Sequence, residues 1–212
     1  GVIASQATMR ANPDGYTLMQ GYVATHGTNP ATRKVPYDPI KDFTPIGMIG
    51  ATPNVLIVNS QVPVKNMKEF IDYARKNPGK FSYGSGGLGS ASHLGTELMR
   101  QVAGFDLLHV PYKGTGLAVT DLVSGQVTMF ITNMPSVLPM VKANRVRALA
   151  VMSAKRIPHL PDVPTVNESV APGFESSSWY GLCAPAGTPV AIIDKVHADV
   201  TSVLGTPRSS AN

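Results

Sequence analysis

Tyr83-Gly84-Ser85-Gly86-Gly87-Leu88-Gly89-Ser90-Ala91-Ser92-His93 decides how this chain is read. Phe81 to Gly84 has the composition of a short strand, and Ser92 to Ala103 carries helical spacing, so a glycine-rich turn joins a strand to a helix. Such a turn is expected to leave backbone N–H groups unpaired at the positive end of a helix dipole, where anions bind without a charged side chain. Ser85, Ser90 and Ser92 can add hydroxyl donors. The same residues also read as a tight connection with a serine N-cap, and that alternative stays open.

Working outward, the pattern repeats. Asn66 to Lys76 is an amphipathic helix, with Met67, Phe70, Ile71 and Ala74 at helical spacing and Pro78-Gly79 ending it. Strands are expected at Leu107–Val110, Val127–Ile131 and Val146–Val151, with helices at Gly116–Ser124 and Pro135–Lys142. Earlier, a helix covers residues 1–11, Asn12-Pro13-Asp14-Gly15 forms a turn, and Tyr16–Gly21, Phe43–Ile49 and Asn54–Val58 read as strands. His26 to Asp42 and Ile157 to Pro172 are proline-interrupted and irregular. A strand near Trp179–Ala184 and a helix over Pro189–Leu204 follow, and the polar tail Gly205–Asn212 reads as frayed. Alternating strands and helices predict an α/β fold on a mostly parallel sheet.

Composition narrows the function classes. With 43% hydrophobic residues in 212, the chain can build genuine cores, in one large or two small domains. Eighteen basic against thirteen acidic residues give a net charge of +5, scattered and not interleaved with aromatics. That pattern does not predict nucleic-acid binding, although a positive field helps to draw in an anionic ligand. The single cysteine, Cys183, rules out an internal disulfide or a multi-cysteine zinc site, and its apolar neighbours predict a buried packing role. No run of eighteen apolar residues predicts a membrane span.

Other chemistry reads weakly. Gly84-x-Gly86-x-x-Gly89 matches the dinucleotide fingerprint, but the acidic residue that should end the following strand is missing: Asp106 precedes it. No Gly-x-Ser-x-Gly elbow surrounds the serines, and His26, His93, His109, His159 and His197 lack metal-binding spacing. His93 lies one turn into its helix, placed for capping, packing or general-base work. Gly114–Thr115 and Thr132–Asn133 follow further strands, so three successive strands are expected to deliver Ser85–Ser90, Thr115 and Thr132–Asn133 to one rim. Ligands sit at that carboxyl edge in open parallel sheets.

Several stretches together resemble the tripartite tricarboxylate transporter receptor family, also called the Bordetella uptake gene proteins. They are Pro13-Asp14-Gly15-Tyr16-Thr17-Leu18, Pro36-Tyr37-Asp38-Pro39-Ile40-Lys41-Asp42-Phe43, the segment from Tyr83 to Leu94, and His109-Val110-Pro111-Tyr112-Lys113-Gly114. Leu160-Pro161-Asp162-Val163-Pro164-Thr165, Ser178-Trp179-Tyr180-Gly181 and Pro185-Ala186-Gly187-Thr188-Pro189 follow in family order. The resemblance implies a two-lobed, type II (Venus flytrap) periplasmic binding protein that captures a small carboxylate: a di- or tricarboxylate, an acidic amino acid or an aromatic acid. It implies no enzyme activity and no cofactor or metal. Ligand-binding residues carried over or read from the rim are Thr25, His26, Ser85, Gly86, Gly87, Gly89, Ser90, His93, Thr115, Thr132 and Asn133.

By that likeness the lobes comprise residues 1–58 with 178–212, and residues 59–177, closing by a hinge motion. The partners are the membrane subunits of a tripartite tricarboxylate transporter, the protein itself being monomeric, periplasmic and not inserted in the membrane. Against the family pattern the fold reads as truncated at both ends. Thr132 also stands where many members carry aspartate, removing an acidic partner that an amine-bearing ligand would use. The competing readings are a nicotinamide- or phosphate-binding enzyme built on Gly84–Gly89 and a ligand-sensing module for a signalling partner.

Overall fold

The computed structural model describes residues 1–206; the expected fraying of the tail lies, for residues 207–212, outside the described residues. In chain order the elements are α1 (Val2–Met9), β1 (Met19–Tyr22), a π-helical turn (Ala24–Thr28), α2 (Asn29–Thr32), β2 (Phe43–Asn59), α3 (Met67–Lys76), β3 (Ser82–Ser85) and α4 (Ala91–Ala103). They continue with β4 (Leu108–Pro111), α5 (Thr115–Ser124), β5 (Met129–Asn133), a 3₁₀ turn (Met134–Ser136), α6 (Leu138–Lys142), β6 (Val146–Val151), α7 (Val166–Ser169), β7 (Ser177–Pro185) and α8 (Val190–Leu204). The α/β class is observed.

The chain divides into two compact units, residues 1–51 with 179–212 and residues 52–178. Residues 52–58, expected in the first lobe, fall in the second unit because Asn54 to Val58 hydrogen-bond along both β5 and β6.

In the second unit the strand order is β6-β2-β5-β3-β4. β3 runs parallel to β4 and to β5, whereas β2 is antiparallel to β5 and β6. The sheet is therefore mixed and not mostly parallel. The apolar run Asn54–Val58 reflects burial on both faces. Leu56 and Val58 pack with Met67, Phe70, Tyr83, Met99 and Ile131 on one side. Val55 and Ile57 pack with Ala118, Leu122, Phe130 and Val137 on the other. Helix α3 obeys its spacing: Met67, Phe70, Ile71 and Ala74 are buried, and Asn66 caps it by accepting the Glu69 N–H. Within the expected loop 157–172, a Thr165/Glu168 capping box forms the one-turn helix α7.

In the first unit β1 pairs antiparallel with β7, with Met19 opposite Cys183 and Gly21 opposite Gly181. Tyr16 to Leu18, expected in that strand, stay outside it, and Tyr16 is 94% exposed. The segment His26–Asp42, expected to be irregular, contains the π-helical turn and α2, with Pro30 tolerated in the first turn of α2. Met19, Tyr37, Phe43 and Cys183 form the core, and burial pushes the Cys183 thiol up. No helix among the described residues is long and apolar enough to cross a membrane.

Candidate functional site

β4, β3 and β5 run side by side in one direction, so the segments that follow them emerge at a common edge of the second unit. The Tyr112 N–H donates to Ser85 O (3.0 Å), zipping the ends of β3 and β4 together. Gly87 (φ 116°) and Gly89 (φ 76°) occupy left-handed backbone that side-chain-bearing residues disfavour, which is why the loop is glycine-rich there. Ser90 caps α4 by accepting the His93 N–H at 3.3 Å.

The amides expected to be free are distributed differently. Gly86 N–H donates to Ser92 Oγ (3.0 Å), Gly87 N–H to Ser85 Oγ (3.1 Å) and Gly89 N–H to His93 Nδ1 (3.2 Å). The loop's own polar side chains thus hold its glycines. Within residues 86–93, the N–H groups without a protein acceptor are those of Leu88, Ala91 and Ser92, the last two in the first turn of α4. An anion approaching here meets those three amides, not the glycine amides.

Beneath the loop, Ser85 is fully buried and its hydroxyl lies 2.7 Å from His109 Nε2. The His109 ring is stacked between Tyr83 (centroids 4.7 Å apart) and His93 (4.4 Å). The Tyr83 hydroxyl donates to Glu97, which also accepts from Arg100 Nη1 at 2.7 and 2.9 Å; Arg100 reaches Asp106 as well. Burial, reinforced by neighbouring His93, holds the His109 imidazole below its ordinary value. Burial and the Glu97 carboxylate push the Tyr83 phenol up. Sequence reasoning missed this stack, although parallel pairing of β3 and β4 sets Tyr83 directly opposite His109.

Serine beside imidazole suggests a nucleophile and its base, but a nucleophile must reach its substrate. Ser85 is enclosed and its oxygen already accepts the Gly87 N–H, so the pair braces the loop in this arrangement. A dinucleotide fits no better. Asp106 lies before β4, at the opposite end of that strand from the rim, and is paired with Arg100. No group of three metal-binding side chains occurs among the described residues.

Around Gly86 the rim is a cradle of hydroxyls. A Cβ placed there would lie 3.7 Å from Thr115 Oγ1 and 3.8 Å from Ser92 Oγ and from Ser90 Cβ. Thr132 is buried at the end of β5. Asn133 Oδ1 accepts from Ser136 N (3.2 Å) and Ser136 Oγ (2.5 Å), leaving the Asn133 side-chain N–H₂ as the available donor. Thr115, Thr132 and Asn133 therefore join Ser85–His93 at one edge of the second unit.

Thr25 and His26 belong to the first unit. Thr25 is fully buried; its hydroxyl accepts from Tyr22 N (3.1 Å) and donates to Tyr22 O (3.2 Å), while His26 Nδ1 lies 2.9 Å away. That hydroxyl fixes the turn after β1. His26 is half-buried, its ring edge-on to Phe43 at 5.0 Å, and burial lowers its basicity.

An α/β scaffold carrying amides and hydroxyls at a shared strand edge defines a binding-protein class more readily than a reactive centre. The profile of the tripartite tricarboxylate transporter family receptor matches residues 1–211, and the chain belongs to that family. It is 38% identical over 211 residues to the UPF0065 protein in the tcbD-tcbE intergenic region of Pseudomonas sp. strain P51, covering 98% of this chain and 62% of that protein. Among solved structures, R. palustris Rpa4515 with adipate is 39% identical with a TM-score of 0.96, covering 100% of this chain and 71% of that one. MatC (Rpa3494) from Rhodopseudomonas palustris with bound malate is 35% identical with a TM-score of 0.91, covering 97% and 70% respectively. The chain thus spans less than two thirds of the length of the curated relative described.

Proposed function

We propose that this chain forms part of a periplasmic receptor that captures a small carboxylate and delivers it to the membrane subunits of a tripartite tricarboxylate transporter. The observation that carries the reading is the trio of unpaired N–H groups at Leu88, Ala91 and Ser92, adjoining the hydroxyls of Ser90, Ser92 and Thr115. Amides at a helix start hold a carboxylate by geometry and dipole, and release it without reacting. Ser90, Thr115 and the Asn133 amide are the side chains proposed to touch the ligand. Ser85, Gly87, Gly89 and His93 shape the loop from below, and Gly86 keeps the cradle open. Adipate and malate, bound by the two R. palustris proteins, support dicarboxylates as the first ligands to try.

Gly86→Ala provides the test, because its Cβ would meet only ordinary van der Waals neighbours at 3.7–3.8 Å while filling the cradle. Calorimetric titration with adipate, malate, citrate, glutamate and NAD should show binding of at least one acid by the wild type. At ~100-fold excess over its dissociation constant, that acid should stabilise the fold by about 2.7 kcal/mol. Gly86→Ala should lose the binding with an unchanged melting temperature. Acid affinity equal in both proteins, or a response to NAD alone, would reject the reading.

A further inference from the structure

A second recess lies in the second unit, in the groove between α5 and α6, and meets the glycine loop only at Thr115. It encloses about 550 Å³, within the size range of small-molecule sites. On α5, Thr115, Val119 and Val123 follow one another at four-residue spacing, which puts them on one helical face. Val119 is buried and Val123 half-buried, and Met140 of α6 faces them across the groove. The hydroxyls along the edge are turned to the backbone: Thr120 Oγ1 donates to Gly116 O (3.1 Å) and Ser124 Oγ to Asp121 O (3.1 Å). The floor is therefore largely apolar, with the Thr120 and Ser124 hydroxyls already engaged.

Arg145 stands at one end. Helix α6 finishes in a left-handed Asn144 (φ 55°), with Asn144 N–H donating to Val141 O (3.0 Å) and Arg145 N–H to Met140 O (2.9 Å). These are the two bonds of a Schellman motif, in which the position held by Arg145 commonly carries an apolar residue packed on the position of Met140. Here the same backbone lock presents a guanidinium beside Met140, and both line the groove. Arg145 has no ion pair or side-chain hydrogen bond among the described residues. Asp121, the acid on α5, is engaged with the Tyr112 hydroxyl at 2.7 Å, and Lys142 adds a second positive charge to α6. Attraction to the C-terminal dipole of α6 would account for a cation at this point. It does not account for an apolar trough leading away from it.

We propose that this groove is a second binding site, for an amphipathic carboxylate whose head group pairs with Arg145 and whose apolar tail lies along Val119, Val123 and Met140. It is separate from the proposed carboxylate grip at residues 85–93, the two sharing Thr115 at their margin.

Octanoate is the probe, followed by ¹⁵N and methyl NMR titration of the whole chain. One saturable site is expected, with the largest shifts at Val119, Val123, Met140 and Arg145. The uncharged octanol should bind about tenfold more weakly, and Arg145→Gln should weaken octanoate about tenfold, the order expected for losing one charge-assisted pair. Arg145 is exposed, so that variant should fold as the wild type does. Gly86→Ala should leave octanoate binding intact, which separates this site from the receptor reading: failure of adipate to bind leaves the groove prediction standing. Shifts centred on residues 85–93, equal binding of octanol and octanoate, or unchanged affinity in Arg145→Gln would each overturn it.

Discussion

Ser85 Oγ and His109 Nε2 lie 2.7 Å apart, joining the end of β3 to the adjacent parallel strand β4 beneath the glycine loop. The same oxygen accepts the Gly87 N–H, so one buried atom fixes both the histidine and the loop. Removing it leaves a backbone donor and a ring nitrogen unsatisfied. Ser85→Ala is expected to cost about 1–3 kcal/mol. In urea unfolding it should lower the midpoint with little change in slope. A midpoint within error of the wild type would show that water replaces the hydroxyl without loss.

The histidine stack carries a pH signature. His109 is held below its ordinary value of 6.5 by burial first and by His93 second, with Glu97 opposing and Arg100 assisting. A depressed imidazole means that the unfolded chain binds protons that the folded chain refuses. Its contribution to stability is intact above 6.5, and it is lost as pH falls from there through the folded value. Stability should therefore rise with pH across that window, by up to about 1.4 kcal/mol per unit for each such group. His26, lowered by burial in the first unit, acts in the same direction. Melting temperatures should slope upward from about pH 5 to about pH 6.5 and level off above it, and His109→Asn should flatten part of the slope. An identical profile in that variant would remove His109 as the source.

Two adjacent glycines should respond in opposite ways. Gly87 sits at φ 116°, and a Cβ there would approach the Tyr112 carbonyl oxygen to 3.2 Å. Gly87→Ala is expected to destabilise by about 1–3 kcal/mol through backbone strain. Gly86→Ala meets neither obstacle and should fold normally while losing the ligand. Thermal unfolding of the pair, with and without adipate, separates the two roles. A Gly86→Ala melting temperature as low as that of Gly87→Ala would mean that both glycines are structural.

What the sequence could and could not convey follows from the same residues. Local signals were readable. The spacing of Met67, Phe70, Ile71 and Ala74 fixed α3, and Val146–Val151 appears where its composition put it. The convergence of residues 85–90, 115 and 132–133 on one edge required only that β3, β4 and β5 run in the same direction, which they do. Strand direction elsewhere was not readable, because the alternating burial of Val55, Leu56, Ile57 and Val58 reports two covered faces and says nothing of the neighbours' polarity. Glycine spacing likewise reveals which backbone conformations are allowed. It does not reveal that Ser85, Ser92 and His93 fold back onto the amides, since those bonds depend on side-chain direction. Thr25, which the family resemblance implied as a ligand contact, likewise shows bonds that its position alone does not reveal, its hydroxyl joining Tyr22 N and O.

Asn54 offers the sharpest test of packing in the second unit. It is 1% exposed, its side-chain nitrogen donates to Ser176 Oγ (3.1 Å), and its Oδ1 accepts from Ser178 Oγ (2.9 Å). Its backbone N–H donates to Ser176 O and its carbonyl accepts from Met152 N, so the residue ties β2 to the segment entering β7. Asn54→Ala should cost about 2–3 kcal/mol, since it opens a cavity and leaves the buried Ser178 hydroxyl without its acceptor. Removing that orphaned group should help: the Asn54→Ala/Ser178→Ala double variant should be more stable than the sum of the single losses predicts, by about 1 kcal/mol. Strict additivity in a double-mutant cycle, measured by urea unfolding, would mean that the two side chains contribute independently and that the hydroxyl finds another acceptor once Asn54 is gone.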